Sequence, residues 1–398
     1  MLELTIKMPI GDLRPIHGVS DGRFTFGVVG ACGATGQAVV AELHKSCGGN
    51  VLIGGRELEK QRALADRFDA RVSATQVDVL DPASLDAFCG QCAIIINCAG
   101  PVCRLEDRVA QAALRNGCHY VDPAGLTIVE ERMRAHSHVV ADAGLCFVIS
   151  AGWMPGLTEL LPVYAHARAK ATMDAVESIA VYFADGGDWS RSALIDGAWF
   201  LRRRGLSHPM YFSRGHAMRA TSAQALRKVN LGPSIASGRF GLYWTPEMEG
   251  VGRRLSDCDV LSYSYVSGIR TIAASLLLAS VPLPERAGID MIRGIFQRNR
   301  FAAGGFAVVE ARGISKGRRV LATTTVSFER GRDYWFHATT LATVARLIAD
   351  RKDVEPGVHF LAGAVEPTAF AAELQRAGIQ ITESVALEPP RGSPGDSA

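Results

Sequence analysis

The chain has 398 residues, of which 48% are hydrophobic. This length predicts two domains of ordinary size, and the apolar fraction excludes a disordered protein. A net charge of +3 is too small to indicate a protein that binds nucleic acid. The charge is uneven, because residues 1–160 hold 14 Lys+Arg and 18 Asp+Glu (net −4), whereas residues 161–398 hold 29 and 22 (net +7). The basic second part favours an anionic substrate or an acidic carrier protein as partner.

The N-terminal residues predict a strand. Leu2, Leu4, Ile6 and Met8 alternate with other residues, a pattern unlike that of a secretion signal. The longest apolar stretch, 271–283, is shorter than the roughly 20 residues that span a bilayer and predicts a buried helix. Eight of the nine cysteines fall within the first 150 positions. The odd number indicates reduced thiols, so we expect a cytoplasmic protein without a membrane partner.

From residue 24 onwards, short apolar runs alternate with segments of helical spacing. Asp81 followed by Pro82 is typical of a helix start, and Thr127 with Glu130 has the form of a capping box. The predicted strands are 24–29, 51–53, 93–96, 119–121 and 145–149, and the predicted helices are 34–44, 58–68, one opened by Asp81, 105–115, and one from Thr127 to before Gly144. This alternation predicts an α/β fold, a Rossmann-type doubly wound parallel sheet, over residues 1–155.

The alternation stops after Gly152. The later predicted strands are 178–183, 260–266, 306–312 and 319–328, of which the last two form a hairpin. We therefore expect residues 156–335 to form an α+β substrate domain built on an antiparallel sheet. Residues 336–385 are predicted to be C-terminal helices that pack back on the core, and residues 386–398 a disordered tail.

The strongest motif is a glycine-rich turn between the first predicted strand and the first predicted helix. It has the sequence Gly27-Val-Val-Gly30-Ala-Cys-Gly33-Ala-Thr-Gly36. Glycines allow a tight turn in which backbone N–H groups and a helix N-terminus approach a pyrophosphate. The motif predicts a dinucleotide site formed by Gly30, Gly33, Ala34, Thr35 and Gly36.

The end of the second strand selects the dinucleotide. Enzymes that use NAD usually have an acidic residue there for the ribose 2′-OH, but this chain has Arg56, with Lys60 one turn later. An arginine can bind a 2′-phosphate through two hydrogen bonds, which favours NADPH. The alternative is that Arg56 only begins a solvated helix, since Glu57 and Glu59 follow it.

Two further segments are predicted to contact the same cofactor. Asp78 and Val79, after the third strand, are expected to lie against the adenine. The segment after the fourth strand would pass close to the pyrophosphate and the nicotinamide ribose, where small residues leave room. Its expected contact residues are Cys98, Ala99, Gly100 and Pro101.

Several motifs together resemble the saccharopine dehydrogenase-like reductases. They are the glycine-rich turn, the Gly-Arg that ends the second strand, Asn97-Cys-Ala-Gly-Pro101, His119-Tyr-Val-Asp122 and Gly152-Trp-Met-Pro-Gly156. The resemblance covers residues 24–160 well and the C-terminal part loosely. It implies hydride transfer between NADP(H) and a carbon–nitrogen bond, and a homodimer formed through the second domain.

The chain departs from this family at one place. Family members often carry Ser/Thr-Gly-Glu soon after Tyr-Val-Asp, but Asp122 is followed here by Pro-Ala-Gly-Leu, which puts a simple amino-acid amine in doubt. We therefore expect an NADPH-dependent oxidoreductase that reduces a C=N (imine) bond of a small or carrier-bound substrate. Thiazoline reduction of a siderophore intermediate is the first hypothesis. A saccharopine- or opine-type amino-acid dehydrogenase and a non-catalytic NADP(H)-binding sensor are the alternatives.

Imine reduction also needs a proton donor near the nicotinamide. Ligands lie beyond the carboxyl ends of the strands, which makes Asp122 the first candidate, with Tyr120 and His119 before it. Asp122 could instead stabilise a turn, and His119 could simply pack. His337 is a second acid candidate. The other candidates lie in loops of the second domain and are Asp185, Asp188, Arg191, His208 and Tyr211.

Two pairs have spacings that suggest metal or redox chemistry. Cys89 and Cys92 have redox-motif spacing but no second pair for zinc, so plain thiols are expected. His136 and His138 are two apart on a helix and point in different directions. We therefore predict no metal.

Overall fold

The computed structural model describes residues 19–20, 23–187, 189–204, 209–281, 283–297, 301, 303–352 and 354–388. The predicted strand at residues 2–8 lies outside these ranges, as do Asp188 and His208. The chain divides into two compact units. Unit 1 comprises Met1–Gly152 and His337–Phe360, and unit 2 comprises Trp153–Phe336 and Leu361–Ala398.

The strands are β1 Val19–Ser20, β2 Arg23–Val29, β3 Asn50–Gly55, β4 Val72–Gln76, β5 Ile94–Asn97, β6 His119–Val121, β7 Cys146–Ile149, β8 Ala175–Asp185, β9 Met210–Ser213, β10 His216–Arg219, β11 Leu226–Asn230, β12 Ser237–Leu242, β13 Asp259–Val266, β14 Gly305–Ser315, β15 Arg318–Phe328, β16 Gly357–Phe360 and β17 Thr382–Leu387. The helices are α1 Ala34–Ser46, α2 Leu58–Ala65, α3 Pro82–Cys89, α4 Val102–Leu105, α5 Arg108–Arg115, α6 Leu126–Arg134, α7 Ser137–Asp142, α8 Leu157–Lys170, α9 Arg191–Arg204, α10 Ser222–Ala225, α11 Pro246–Arg254, α12 Ile269–Ser280, α13 Glu285–Gln297, α14 Asp333–Ala349, α15 Leu361–Ala364 and α16 Pro367–Arg376.

Unit 1 is built on a parallel sheet in the order β16-β7-β6-β5-β2-β3-β4, to which β1 adds antiparallel to β2. β5 and β7 are buried along their whole length, as expected for strands of a parallel sheet covered by helices. The chain proceeds from β2 towards β4 on one side and from β5 towards β7 on the other. The switch point therefore lies between β2 and β5, where ligands of such sheets bind. The predicted Rossmann-type fold is confirmed.

One strand of this sheet comes from far along the chain. β16 pairs in parallel with β7, with Gly357 opposite Cys146 and Phe360 opposite Ile149. From the sequence, only helices were predicted in this C-terminal region. Unit 1 is thus discontinuous, and residues 337–360 belong to it.

Two predicted helices of unit 1 are broken, and one of them, expected from Thr127 to before Gly144, is divided into α6 and α7. The helix expected at 105–115 is divided into α4 and α5 by Glu106, whose φ is +56°, a left-handed conformation that cannot continue a helix. The expected capping box is also wrong. The N-cap of α6 is Gly125, so Thr127 lies inside the helix, and Glu130 pairs with Arg134.

Unit 2 contains a mixed sheet in the order β10-β9-β13-β8-β14-β15-β17, with the β11–β12 hairpin attached to β13. The neighbours are antiparallel except for β8 and β13, which run parallel from the Ser178–Asp259 pair onwards. The prediction of a purely antiparallel sheet is wrong at this pair, because a long connection lets the chain return in the same direction. The β14–β15 hairpin is confirmed, and its turn at Lys316 and Gly317 has positive φ at both positions.

Three features of unit 2 differ from expectation. α12 is not fully buried, since Leu276 and Leu277 are exposed. Phe212 and Trp244, from an aromatic-rich part of the sequence that we expected to suit a large, partly aromatic substrate, are instead buried core residues whose ring centroids lie 5.0 Å apart. β17 extends to Leu387, so the first two residues of the expected tail form part of a strand.

Within the described ranges, no helix combines the length and apolar character needed to cross a membrane. The cysteines are free thiols. Cys89 and Cys92 are buried, and burial raises the pKa of each thiol above its usual range.

Candidate dinucleotide and active site

The glycine-rich turn joins β2 to α1 and lies against the loop after β5. Gly30 has a φ of +78°, which favours glycine, and its N–H donates to the Gly54 carbonyl at 2.9 Å. A Cβ at Gly30 would lie 2.7 Å from Ala99 N and 2.8 Å from the Cys98 carbonyl carbon. A Cβ at Gly36 would collide with the Gly30 carbonyl oxygen. The absence of side chains at positions 30 and 36 therefore lets the turn and the loop pack together.

The N-terminus of α1 is accessible to a ligand. Gly33 is its N-cap and makes no side-chain cap hydrogen bond. Gly33 and Ala34 are exposed, and Thr35 is half-buried. A Cβ at Gly33 would contact one atom, the Gly30 carbonyl oxygen at 3.3 Å, so there is room for an anion. Uncapped N–H groups at a helix N-terminus attract an anion, so this turn fits the pyrophosphate of a dinucleotide.

The first turn of α2, which follows β3, is linked to the glycine-rich turn through Cys32, whose thiol donates to the Lys60 carbonyl oxygen over 3.4 Å. Arg56 is exposed, and its guanidinium makes no ion pair with any residue that the structure describes. Lys60, by contrast, pairs with Glu57 at 2.8 Å. Arg56 is therefore the better placed of the two cations to take a 2′-phosphate.

The segment after β4 offers a small apolar surface. Asp78 is exposed, and its Oδ1 accepts a hydrogen bond from Leu80 N at 2.9 Å, whereas Val79 is buried. Leu80 itself is 61% exposed. The contact of Asp78 and Val79 with the adenine stays a prediction. Leu80 is the exposed apolar residue of this segment, directly before the N-cap Asp81.

The loop after β5 is anchored by a buried amide. Asn97 Oδ1 accepts from Ala99 N at 3.1 Å, and its Nδ2 donates to the Tyr120 hydroxyl at 3.1 Å. Burial raises the pKa of Cys98 to about 12, so this thiol is neutral. Gly100 is exposed. The loop therefore presents backbone and small uncharged side chains beside the glycine-rich turn.

Asp122 lies just beyond β6 and is 2% exposed. Its Oδ1 accepts hydrogen bonds from the backbone N–H groups of Gly125 and Ser150. Its Oδ2 is buried and lacks a hydrogen bond of ordinary geometry to any described residue. Burial raises the pKa of Asp122 to about 6, although the N–H groups and the Tyr120 hydroxyl lower it. The carboxyl group thus stabilises a turn and can also hold a proton near neutral pH, and its catalytic role stays a prediction.

His337 lies at the same edge of the sheet as Asp122. A Cβ at Gly152 would be 2.5 Å from His337 Nδ1 and 2.6 Å from the Pro123 carbonyl oxygen, so the imidazole packs directly on this backbone. Burial lowers the pKa of His337 to about 4, so the ring is neutral at pH 7. Ser150 at the end of β7 has a φ of +56°, which is uncommon outside glycine and is often found at functional sites.

Tyr120 and His119 have buried positions. Burial raises the pKa of Tyr120 well above its usual value, and its hydroxyl supports Asn97. His119 is the first residue of β6 and so lies at the end of the strand opposite to the ligand-binding edge. Its Nδ1 accepts from Cys146 N at 3.0 Å, and burial lowers its pKa to about 4. This geometry favours the packing interpretation of His119 over the catalytic one.

The described candidates of unit 2 lie at separate places. Asp185 ends β8, is buried and accepts a hydrogen bond from Gly187 N at 2.7 Å. Burial raises the pKa of Asp185 to about 7, and the nearby Asp333 adds to this shift. Arg191 begins α9 and lies 3.6 Å from Glu285. Tyr211 is half-buried within β9, and no catalytic role follows for any of the three from these positions.

Part of this chain is similar to known proteins. Residues 26–148 match the saccharopine dehydrogenase NADP binding domain. A human saccharopine dehydrogenase-like oxidoreductase is 27% identical over 203 residues, which cover 47% of this chain and 45% of that protein. A probable mitochondrial saccharopine dehydrogenase-like oxidoreductase of Arabidopsis thaliana is 32% identical over 137 residues, 31% of this chain and 30% of that protein. The chain thus spans less than half the length of these curated relatives.

The fold has a counterpart among solved structures. The apo saccharopine dehydrogenase (L-Glu forming) from Saccharomyces cerevisiae aligns with a TM-score of 0.63 at 13% identity, covering 91% of this chain and 100% of that chain. At this identity the likeness concerns the fold alone. The NADP-binding family of residues 26–148 agrees with the glycine-rich turn and with Arg56. The chain is therefore similar to saccharopine dehydrogenase-like oxidoreductases, and its residues 26–148 match the saccharopine dehydrogenase NADP binding domain.

Proposed function

We propose that this protein is an NADPH-dependent oxidoreductase that reduces a C=N bond. The observation that carries the proposal is the NADP-binding family of residues 26–148, whose glycine-rich turn and Arg56 are both accessible. The names of the relatives, saccharopine dehydrogenase-like oxidoreductases, support the same class of reaction.

The cofactor would be held by complementary parts of unit 1. The N-terminus of α1 at Gly33 would bind the pyrophosphate, Arg56 the 2′-phosphate, and Leu80 the adenine face. Ala99 and Gly100 would leave room for the nicotinamide ribose. When bound, NADPH supplies a hydride to the carbon of the C=N bond.

The nitrogen of the reduced bond needs a proton, for which unit 1 offers two groups. Asp122 holds a proton over a range that reaches about pH 6, because its carboxyl is buried. His337 is neutral and can pass a proton only through a ring N–H. Asp122 is therefore the stronger candidate for the donor, and His337 the candidate for orienting the substrate.

Two classes of substrate are proposed. Thiazoline reduction on a siderophore intermediate is our first hypothesis, because the Ser/Thr-Gly-Glu run that often follows Asp122 in the family is replaced here by Ala-Gly125-Leu126, which lacks the acidic residue, and because unit 2 is rich in basic residues. A saccharopine- or opine-type amino-acid dehydrogenase is the second, favoured by the fold shared with a saccharopine dehydrogenase. A cytoplasmic location and a homodimer belong to the proposal as well.

The decisive experiment measures NADPH oxidation against a panel of thiazolines, cyclic imines, and mixtures of lysine or glutamate with keto acids. Turnover of thiazolines alone would support the first substrate class, and turnover of amino-acid mixtures the second. Tight NADPH binding without turnover on any member of the panel would contradict the catalytic proposal and favour a sensor. Equal affinity for NADH and NADPH would contradict the cofactor assignment.

A further inference from the structure

Three metal-binding side chains of different chemistry meet in unit 2. His166 lies on α8, and Asp257 and Cys258 directly precede β13. His166 Nε2 is 2.8 Å from Asp257 Oδ1, and one ligand atom from each of the three residues lies within 4.8 Å of the others. Across the described ranges of the chain, this is the one group of three or more His, Cys, Asp or Glu that meets this distance.

The distances between the ligand atoms suit a tetrahedrally coordinated ion after small movements of the side chains. Zinc bonds measure about 2.0–2.1 Å to histidine nitrogen, 2.0–2.2 Å to carboxylate oxygen and 2.3 Å to sulfur, so ligand atoms stand roughly 3.3–3.8 Å apart. The His166–Asp257 pair would open by about 0.5 Å and the thiol would approach by about 1 Å. Such shifts are within the reach of side-chain rotation.

The surroundings also suit an ion that enters from solvent. Cys258 is 2% exposed and forms the floor of the cluster. The side chains of His166 and Asp257 are 12% and 44% exposed and form its rim. One coordination position is left for water on the open side.

We propose that His166, Asp257 and Cys258 bind a zinc ion, with water as the fourth ligand. Zn–N, Zn–O and Zn–S bonds form, the His166–Asp257 hydrogen bond breaks, and the Cys258 thiol releases its proton to solvent. The mixed nitrogen, oxygen and sulfur set favours Zn²⁺ over Mg²⁺ or Ca²⁺, which prefer oxygen alone.

The proton release makes the site sensitive to pH. A cysteine thiol is ordinarily protonated at neutral pH and must lose its proton to ligate a metal ion. The charge of the bound ion stabilises the thiolate. Because one thiol proton leaves for each ion bound, the affinity rises up to about ten-fold for each pH unit.

Lys170 acts as a positioning residue. It lies one turn after His166 on α8, and its Nζ is 2.9 Å from Asp257 Oδ2. Lys170 thus holds Oδ2 and leaves Oδ1 for the ion. The bound ion would connect α8 to the start of β13.

The test uses the full chain without an affinity tag, stripped with EDTA and titrated with Zn²⁺ by calorimetry. We expect one high-affinity ion per chain, and affinity at least ten-fold weaker in His166→Ala and in Cys258→Ser. The matched controls are His216→Ala, an exposed histidine of β10, and Cys47→Ser, a buried thiol of unit 1. Both should bind Zn²⁺ as the wild type does. Lys170→Met should weaken binding by about ten-fold.

A second measurement needs no variant and covers the case in which Cys258→Ser does not fold. Co²⁺ bound to the wild-type protein should show the thiolate-to-cobalt charge-transfer band and the visible bands of a tetrahedral complex. A Co²⁺ spectrum without thiolate character would overturn the proposal. Unchanged Zn²⁺ affinity in folded His166→Ala and Cys258→Ser would overturn it too.

Discussion

Gly152 and His337 are 185 positions apart in sequence, yet a Cβ on Gly152 would come within 2.5 Å of His337 Nδ1. The same atom would lie 2.6 Å from the Pro123 carbonyl oxygen, which is backbone and cannot rotate away. This contact brings together the segment after Asp122 and the first residue that the C-terminal region contributes to unit 1.

Gly152→Ala is therefore expected to displace the imidazole and to destabilise the protein by about 1–3 kcal/mol. Denaturant unfolding measures the stability. The matched control is Gly48→Ala, where a Cβ would meet nothing within 4 Å and where φ is not positive. Equal stability of the two variants would show that the close contact at Gly152 is not maintained in solution.

Gly30→Ala should weaken NADPH binding by at least ten-fold. The added methyl would push against Ala99 N and the Cys98 carbonyl carbon, and alanine is also strained at a φ of +78°. The turn and the loop after β5 would move apart at the place proposed for the pyrophosphate. Fluorescence titration with NADPH checks this, with Gly48→Ala again as the control that should bind normally.

Arg56→Ala should remove the preference for NADPH over NADH. Charge-assisted hydrogen bonds to a phosphate are worth about 1.5–3 kcal/mol, so NADPH affinity should fall roughly 10- to 100-fold while NADH affinity stays within two-fold. Arg62→Ala is the matched control, because Arg62 is also an exposed residue on the same segment and pairs with Glu59. A parallel loss for both cofactors would assign Arg56 a structural role instead.

Asp122→Asn should change how stability depends on pH. The pKa of Asp122 is raised from 3.8 to about 6 by burial, so the folded state binds more protons than the unfolded state between these values. The contribution of this group to stability is therefore lost as the pH rises through about 6, by about 3 kcal/mol in all.

The asparagine keeps Oδ1 as an acceptor for Gly125 and Ser150 but has no proton to lose. The unfolding free energy of the wild type minus that of the variant should accordingly fall by about 2 kcal/mol between pH 4 and pH 7 in urea unfolding. Subtraction removes the parallel effects of other buried acids, such as Glu159, whose pKa burial raises to about 7. A constant difference across this range would show that Asp122 does not hold a proton in the folded state.

His337→Gln should lower turnover on any imine substrate by at least ten-fold without altering the pH dependence of stability above pH 7. The ring is neutral there because burial lowers its pKa from 6.5 to about 4. The contribution of the neutral imidazole to stability is lost only as the pH falls from about 6.5 to about 4, because in that range the unfolded state binds a proton that the folded state does not. If the variant turned over substrate as fast as the wild type, His337 would not be part of the proposed active site.

Local signals were sufficient for much of unit 1. Asp81 accepts a hydrogen bond from Ala83 N and Pro82 opens α3, as their order predicts, because both residues act within one helical turn. The largely apolar strands β5 and β7 were identified because burial on both faces leaves a continuous apolar pattern. Gly30 was also identified from local sequence, because a tight turn constrains which residues can stand next to one another.

Long-range contacts could not be predicted from the sequence. The partner of β16 is β7, more than 200 residues earlier, and nothing in the four residues of β16 specifies it. Glu106, where the helix breaks, pairs with Arg132 of α6 at 2.8 Å, a contact that the local sequence does not specify. Likewise, the position of His337 over Gly152 follows from packing of the whole unit. The sequence therefore identified candidate chemistry at His337 without the neighbours that define its environment.

Because β16 is translated long after its partner β7, folding during synthesis on the ribosome is affected. β7, with the apolar sequence Cys-Phe-Val-Ile, is complete at residue 149, but its outer neighbour emerges only after residue 360. For more than 200 residues of translation, the nascent nucleotide-binding sheet carries an unpaired, wholly apolar edge strand, and such edges promote aggregation. A fragment that stops at Gly152 would keep this open edge permanently. The shortest self-sufficient nucleotide-binding unit is therefore a circular permutant or fusion that brings residues 337–360 to β7, rather than an N-terminal truncation.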